Sequence, residues 1–504
     1  MKKILLNIVL AWCICGCSDF LEPKSPSEFV PKTADALNGL LLGEAYPTAT
    51  SSQLFCFHNA LDDDIEMSDE ELFHQSSAFI ETLQLVYSWN PELFELSRAG
   101  SLSQIWSMYY QRILGANSVL DYLEDVSGTV EEKASVRAQA YTLRAFYYFN
   151  LVNLFGGPYN HDKSAAGVPL KLTSDLTDGF DTRATVSEVY DRILKDLDEA
   201  EKNFAVLSEK QQKSMGYRIN LPAMQLLRAR VCLHMENMEG AAKYARKVID
   251  DWGYELYDMS GKVDTLYVNY MTLDNPETIW MYGSPDDVTS MLALSATMND
   301  AGKTVAYILN ASRDLVASFS DEYDLRGKYY LVQELRGPQN ATADKLKPAE
   351  GHYLPWSKCA LQADNSVKTA SAFAFSFRLS EAYLILAEAV YDTDEELALQ
   401  LINDLREKRF TAGKYDAVSY SGKDLLNFIR EERRRELCFE GQRWFDLRRY
   451  GMPTFKHRWV ENGIVVGNYV MEQGDAAYTL PIPFVAIERN PALKQNELTT
   501  PKTL

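Results

Sequence analysis

At 504 residues the chain exceeds what one compact core usually holds, which predicts several packed units or a repeating architecture. A composition of 46% hydrophobic and 24% charged residues is that of a globular protein and excludes both a disordered chain and a polytopic membrane protein. The formal charge of -20 would repel a phosphate backbone, so nucleic acid is set aside as a partner, and the 29 Tyr, 22 Phe and 8 Trp ask for a use beyond core filling.

In chain order, Lys2 and Lys3 precede an apolar run from Ile4 to Trp12, followed by Cys13-Ile14-Cys15-Gly16-Cys17-Ser18-Asp19. A positive start, an apolar run too short to span a bilayer and small residues read as a secretory signal. Ile14 three residues before Cys17, with Gly16 just before it, fits the bacterial lipoprotein pattern, which Cys13 and Cys15 fail. Residues 1–16 are therefore expected to be removed and Cys17 acylated. Residues 17–35, rich in proline and polar side chains, read as a tether between lipid and body. Cys56, Cys232, Cys359 and Cys438 show no metal or redox spacing and read as buried free thiols.

Helical period then dominates. Ile105 to Leu123 places Ile105, Tyr109, Ile113, Ala116 and Leu120 on one stripe, and Val136 to Leu154 does the same with Leu143, Phe146, Tyr147 and Leu151. Gly156-Gly157-Pro158 should end the second helix, with glycine accepting a left-handed cap. Thr185 and Glu188 form a capping box ahead of Val189, Ile193 and Leu197. From Pro222, a helix carrying Ala229 and Cys232 is followed after Asn237 by one presenting Ala241, Ala245 and Val248, the small-residue spacing of tetratricopeptide repeats. Phe377 to Val390 and Glu395 to Arg409 echo that pair. Residues 51–96 and about 252–351 differ in texture, with Gly, Asn, Asp and Ser and short strand-like pieces such as Thr278 to Tyr282; they read as long loops on the helical scaffold, where binding usually lives.

Several chemistries drop out. The six histidines share no metal-ligand spacing, and Gly302-Lys303-Thr304 lacks the earlier glycine of a phosphate loop, Thr297 standing in its place. No nucleophile elbow occurs, and no metal or other cofactor is expected. Asp62-Asp63-Asp64 lacks the alternation of a calcium loop and reads as a solvated acidic turn. Glu432, Glu436 and Glu440 lie at i, i+4 spacing among Arg433, Arg434 and Arg435. One helix face cannot straddle a glycosidic bond and arginine neighbours hold carboxylates ionised, so the run reads as a structural ion-pair helix. Gly441 should break that helix before a short one that buries Trp444, Phe445 and Leu447.

At these residues the chain resembles the SusD/RagB family of Gram-negative cell-surface lipoproteins. The family hallmark is similar to Glu-Arg-Arg-x-Glu-Leu-x-Phe-Glu-Gly-x-Arg-Trp-Phe-Asp-Leu, which Glu432 to Leu447 matches with Cys438 and Gln442 at variable positions. Cys17-Ser18-Asp19-Phe20-Leu21, Leu143-Arg144-Ala145-Phe146-Tyr147-Tyr148-Phe149, Leu154-Phe155-Gly156, Leu480-Pro481-Ile482-Pro483 and Asn490-Pro491 agree in order and separation. The resemblance implies a mostly α, SusD-like scaffold of tetratricopeptide-like helical hairpins with long loop insertions and a few short strands. It divides the chain into a signal at 1–16, a tether at 17–35, an N-terminal region at 36–215 and a C-terminal region at 216–504 with a ligand-loop insertion at about 252–351.

The resemblance also implies a function without catalysis. The protein would be held at the outer membrane by lipid on Cys17, exposed at the cell surface, and would pass oligosaccharides, or in some members peptides, to a SusC-like TonB-dependent barrel. Sugars offer flat C–H faces to aromatic rings and hydroxyls to amides and carboxylates. In the loop segments the candidates are Trp89 with Asn90, Tyr282 with Asp286 and Asp287, Tyr307 and Trp356. Trp89 equally fits a buried loop anchor and Tyr282 a half-buried strand position, while Trp106 and Trp280 fall on regular core patterns.

Overall fold

The computed structural model describes residues 31–503 apart from 48–53, 56, 74–77, 99–101, 176–178, 215, 261–271, 285–291, 299–303, 339–340, 356–357 and 359–372. Twelve helices carry the description: α1 (Ala34–Leu40), α2 (Ala78–Tyr87), α3 (Ile105–Tyr122), α4 (Val130–Phe155), α5 (Val186–Phe204), α6 (Leu221–His234), α7 (Met238–Asp250), α8 (Leu379–Val390), α9 (Glu395–Glu407), α10 (Gly422–Leu437), α11 (Arg443–Arg449) and α12 (Phe484–Arg489). Consecutive helices pack as pairs, α3 on α4, α4 on α5, α6 on α7 and α8 on α9, with α7 also against α8. Their buried apolar side chains join into one cluster running from Leu37 to Leu493, so the length is absorbed by one extended scaffold.

Local chemistry sets the helix starts. Thr129 and Glu132 satisfy each other's backbone N–H groups ahead of α4, and Thr185 and Glu188 do so ahead of α5. Asn220 and Asn237 cap α6 and α7 by accepting from Ala223 and Gly240 N–H. The stop after α4 differs from expectation. Gly156 is extended (φ -108°, ψ 164°), not left-handed. Glycine is needed for room, because a Cβ there would sit 2.9 Å from the Val152 carbonyl oxygen and 3.2 Å from Gly167 Cα.

Among the described residues there are five small antiparallel sheets, three of which join segments far apart in sequence. β1 (Ile65–Met67) pairs with β6 (Leu309–Ala311), and β2 (Leu72–Phe73) with β4 (Ser295–Met298), which also pairs with β5 (Val305–Tyr307). The two segments read from sequence as separate loops thus share a strand layer. β7 (Gln333–Arg336) pairs with β8 (Lys347–Tyr353), and β10 (Phe455–Glu461) with β11 (Ile464–Met471). β3 (Thr278–Tyr282) pairs with β9 (Phe375–Arg378) inside the core.

The hallmark run is scaffold. Glu436, fully buried on α10, accepts from Arg378 at 2.9 Å, Arg409 at 2.9 and 3.0 Å, Arg326 at 3.1 Å and the Tyr330 hydroxyl at 3.2 Å. Burial alone would raise its carboxyl, but Arg409 and Arg378 hold it well below the usual carboxylate range. Glu432 pairs with Arg406, Arg326 and Arg435, and Glu440 with Lys358 and Arg378. The neutralising arginines therefore come mostly from other elements. Of the neighbours in sequence, Arg433 goes to Asp446 at 2.8 Å and Arg434 to Asp64 at 2.7 Å.

The acidic run is likewise not a solvated turn. Asp62 and Asp64 are buried, and Arg443 holds Asp63 with bonds of 2.7 and 2.8 Å. Cys232 and Cys438 are buried free thiols, while Cys17, Cys56 and Cys359 lie outside the described residues. No helix among the described residues is long and apolar enough to cross a membrane.

Candidate ligand groove

Two of the rings singled out in sequence are spent on packing. Trp89 is 2% exposed; its indole N–H donates to the Leu61 carbonyl at 2.9 Å, and its ring stacks on His457 at 4.4 Å and meets Phe455 edge-on at 5.3 Å. His457 is in turn stacked on Tyr87 at 3.9 Å, with its two nitrogens each 2.8 Å from a backbone carbonyl, those of Tyr87 and Asp62. Trp89 is thus the buried loop anchor and offers no open face. Asn90 beside it shapes the turn, accepting from the Glu92 N–H at 2.8 Å. Tyr282 is also core: it stacks on Trp280 at 4.9 Å and Phe375 at 5.5 Å, with Phe55 and Phe146 edge-on.

Tyr307 is half-buried on β5, where its N–H donates to Glu334 at 2.8 Å. Around it the polar groups pair with one another: Arg336 bridges Glu334 and Glu70, and His352 meets Glu70 at 3.2 Å and Asn310 at 2.9 Å. Asp286, Asp287 and Trp356 lie outside the described residues.

Open space of a ligand's size appears elsewhere. A groove of about 1030 Å³ runs between α3, residues 169–175 and 179–181, and α12. Phe94, Trp106 and Tyr110 form its floor, held by Phe155, which Trp106 meets edge-on at 4.9 Å, and by the Tyr110 hydroxyl donating to the Pro169 carbonyl at 2.9 Å. One wall is the exposed side of α3, with Gln104, Ser107, Gln111 and Leu114 at helical spacing. The other is α12, a helix with no buried residue, whose Phe484 and Val485 are 56% and 44% exposed. Glu95, Asp175, Asp181, Glu488, Lys171 and Arg489 complete the rim.

The motif residues on either side of α12 place that wall. The Leu480 N–H donates to the Leu154 carbonyl at 2.9 Å, Phe484 N–H to Glu95 at 2.6 Å, Asn490 to the Asp181 carbonyl at 2.8 Å and Asn496 to the Phe155 carbonyl at 2.9 Å. Pro483 at the start of α12 has no N–H to satisfy. The exposed Phe484 ring and the half-buried Tyr110, beside amides and carboxylates, can stack a pyranose and hydrogen-bond its hydroxyls. Sequence reasoning missed Tyr110, Gln104, Gln111 and Phe484 as lining. The available signals were the polar i, i+3, i+7 face of α3 and an apolar pair in a helix bounded by Pro483 and Pro491.

Comparison with known proteins agrees with this architecture. The profile of the SusD family matches residues 328–498, and a second profile, described as starch-binding associating with outer membrane, matches residues 19–233. SusD-like protein P38 of Formosa agariphila is 25% identical over 375 residues, 68% of this chain and 71% of that protein. Starch-binding protein SusD of Bacteroides thetaiotaomicron is 35% identical over a shorter 127 residues, 24% of this chain and 20% of that one. Among solved structures, a SusD superfamily protein of Bacteroides thetaiotaomicron superposes with a TM-score of 0.70 at 23% identity, over 92% of this chain and 100% of that one. A laminarin-binding SusD-like protein does so with a TM-score of 0.60 at 20% identity, over 92% and 99%. With α3 to α5 inside one matched stretch, α8, α9 and the hallmark run inside the other, and the same fold in these structures, the chain belongs to the SusD/RagB family.

Proposed function

We propose that the protein is a lipid-anchored subunit of the outer-membrane surface that captures an oligosaccharide in the groove and hands it to a SusC-like TonB-dependent barrel, without acting on it chemically. The observation that carries the proposal is the groove itself: an aromatic floor, an exposed phenylalanine on a pinned helix, and amides and carboxylates around both. Relatives named for starch and laminarin binding support the ligand class. The hallmark carboxylates, the residues a hydrolase reading would use, are closed off among guanidinium groups. Cys17 is the anchor in this reading, and the barrel is the partner.

Calorimetry of the full-length protein in detergent against a glycan panel tests the ligand. Phe484→Ala should weaken binding about tenfold, the equivalent of roughly 1.4 kcal/mol, while Tyr307→Ala should leave it within about twofold. The reverse result would move the site to the strand layer; peptides binding where no glycan does would end the sugar assignment. Glycan cleavage by the intact protein that disappears in Glu440→Gln would establish an enzyme instead. Loss of membrane association in Cys17→Ser checks the anchor, and co-purification checks the barrel.

A further inference from the structure

The rim of the groove is unevenly charged. Glu95, Asp175, Asp181 and Glu488 face Lys171 and Arg489. Lys171 lies 3.5 Å from Asp181, so that pair largely cancels. Three carboxylates then stand against one guanidinium, Arg489, which directly follows Glu488 in the chain. The protein as a whole adds a field of the same sign, at a formal charge of -20.

Carboxylates only accept hydrogen bonds, and a neutral sugar meets them with hydroxyl donors. A uronate or sulfate brings acceptors to acceptors and a negative charge to a negative rim, in a partly apolar groove where water screens less than in bulk. We infer that the groove selects neutral oligosaccharides and rejects those carrying uronate or sulfate groups, with Asp175 and Glu488 as the specificity-determining residues. The inference rests on the groove being the glycan site.

The test is calorimetry of the full-length protein in detergent with two sets of pentasaccharides: neutral gluco-, xylo- and manno-oligosaccharides, and galacturonate and mannuronate oligomers. A neutral pentamer should bind with an affinity that changes less than about twofold between 50 and 500 mM NaCl, whereas the uronates should bind at least about tenfold more weakly at low salt and regain ground as the Debye length shortens. The double variant Asp175→Asn/Glu488→Gln, at two exposed positions, should narrow the neutral-to-uronate ratio at least about threefold. Uronates binding as tightly as neutral sugars, or a gap that neither salt nor the double variant changes, overturns the selection and leaves the glycan reading standing. If neither set binds, the glycan reading itself has failed and the selection falls with it.

Discussion

Glu436 and Glu488 are the same side chain put to opposite uses. Glu436 is fully buried on α10 between three guanidinium groups, whereas Glu488 is exposed on α12 at the edge of the groove. Withdrawn from water, a carboxylate must be matched by partners, and once matched it binds the elements that carry them: segment 326–330, β9, the turn after α9, and α10. Left in water, it commits to nothing and stays available to a ligand. The difference teaches that in this protein the most charged stretch of sequence is architecture, while the wall proposed for recognition is sparsely charged.

The contrast can be broken from the buried side first. Glu436→Gln should lower stability by about 3–5 kcal/mol, because Arg378, Arg409 and Arg326 would remain buried without their shared counter-charge; denaturant unfolding measures it, and a loss below about 1 kcal/mol would mean the network is not what holds these elements together. The same region sets a pH dependence. Burial pushes His58 down to about 4; its Nε2 lies 3.0 Å from the Gly441 carbonyl and its Nδ1 is buried with no hydrogen-bond partner among the described residues. The unfolded chain, with an ordinary histidine pKa near 6.5, binds more protons between those values. Stability from this group is therefore complete above pH 6.5 and is lost as the pH falls toward 4, up to about 3 kcal/mol. In His58→Gln the thermal midpoint should fall less steeply over that window.

Smaller effects sharpen the contrast. The hallmark helix ends earlier than the sequence suggests, at Leu437, with Phe439 already left-handed; Gly441, at φ +72°, closes the following turn against His58, and a Cβ there would lie 2.7 Å from His58 Nε2. Gly441→Ala should cost about 2 kcal/mol, from the left-handed backbone and the displaced imidazole together. At the other extreme, Glu488→Gln should leave the unfolding midpoint unchanged within the equivalent of about 0.5 kcal/mol while changing which saccharides bind. A Glu488→Gln variant as destabilised as Gly441→Ala would erase the distinction between scaffold and rim.

Legibility in the sequence follows the range of the interactions. Capping boxes and apolar stripes are local, so α3, α5, α6, α7 and α9 are readable within a few residues. α4 is the instructive exception, because its stripe starts at Val136 but the helix starts at Val130, where Val130, Glu131 and Glu132 are exposed and the Thr129 capping box is the mark. Strands of two to four residues pairing across the chain leave no such mark; nothing near Leu72 announces Met298. Ring exposure is equally non-local. Trp89 and Phe484 both sit beside proline in irregular surroundings, yet His457 and Phe455 close over the first while the second points to water. The aromatic excess is thus mostly interior packing, with few rings left for a ligand.

The wall at segment 480–496 also has a consequence for the order in which the protein becomes competent. Its bonds reach back to Glu95, Leu154, Phe155 and Asp181, so the floor is translated long before the helix that closes it. A chain interrupted before residue 480 would contain the residues of the helical pairs and the hallmark network but only one wall and the floor of the groove. If the groove is the ligand site proposed above, capture requires that segment 480–496 has been translated and docked onto the earlier floor.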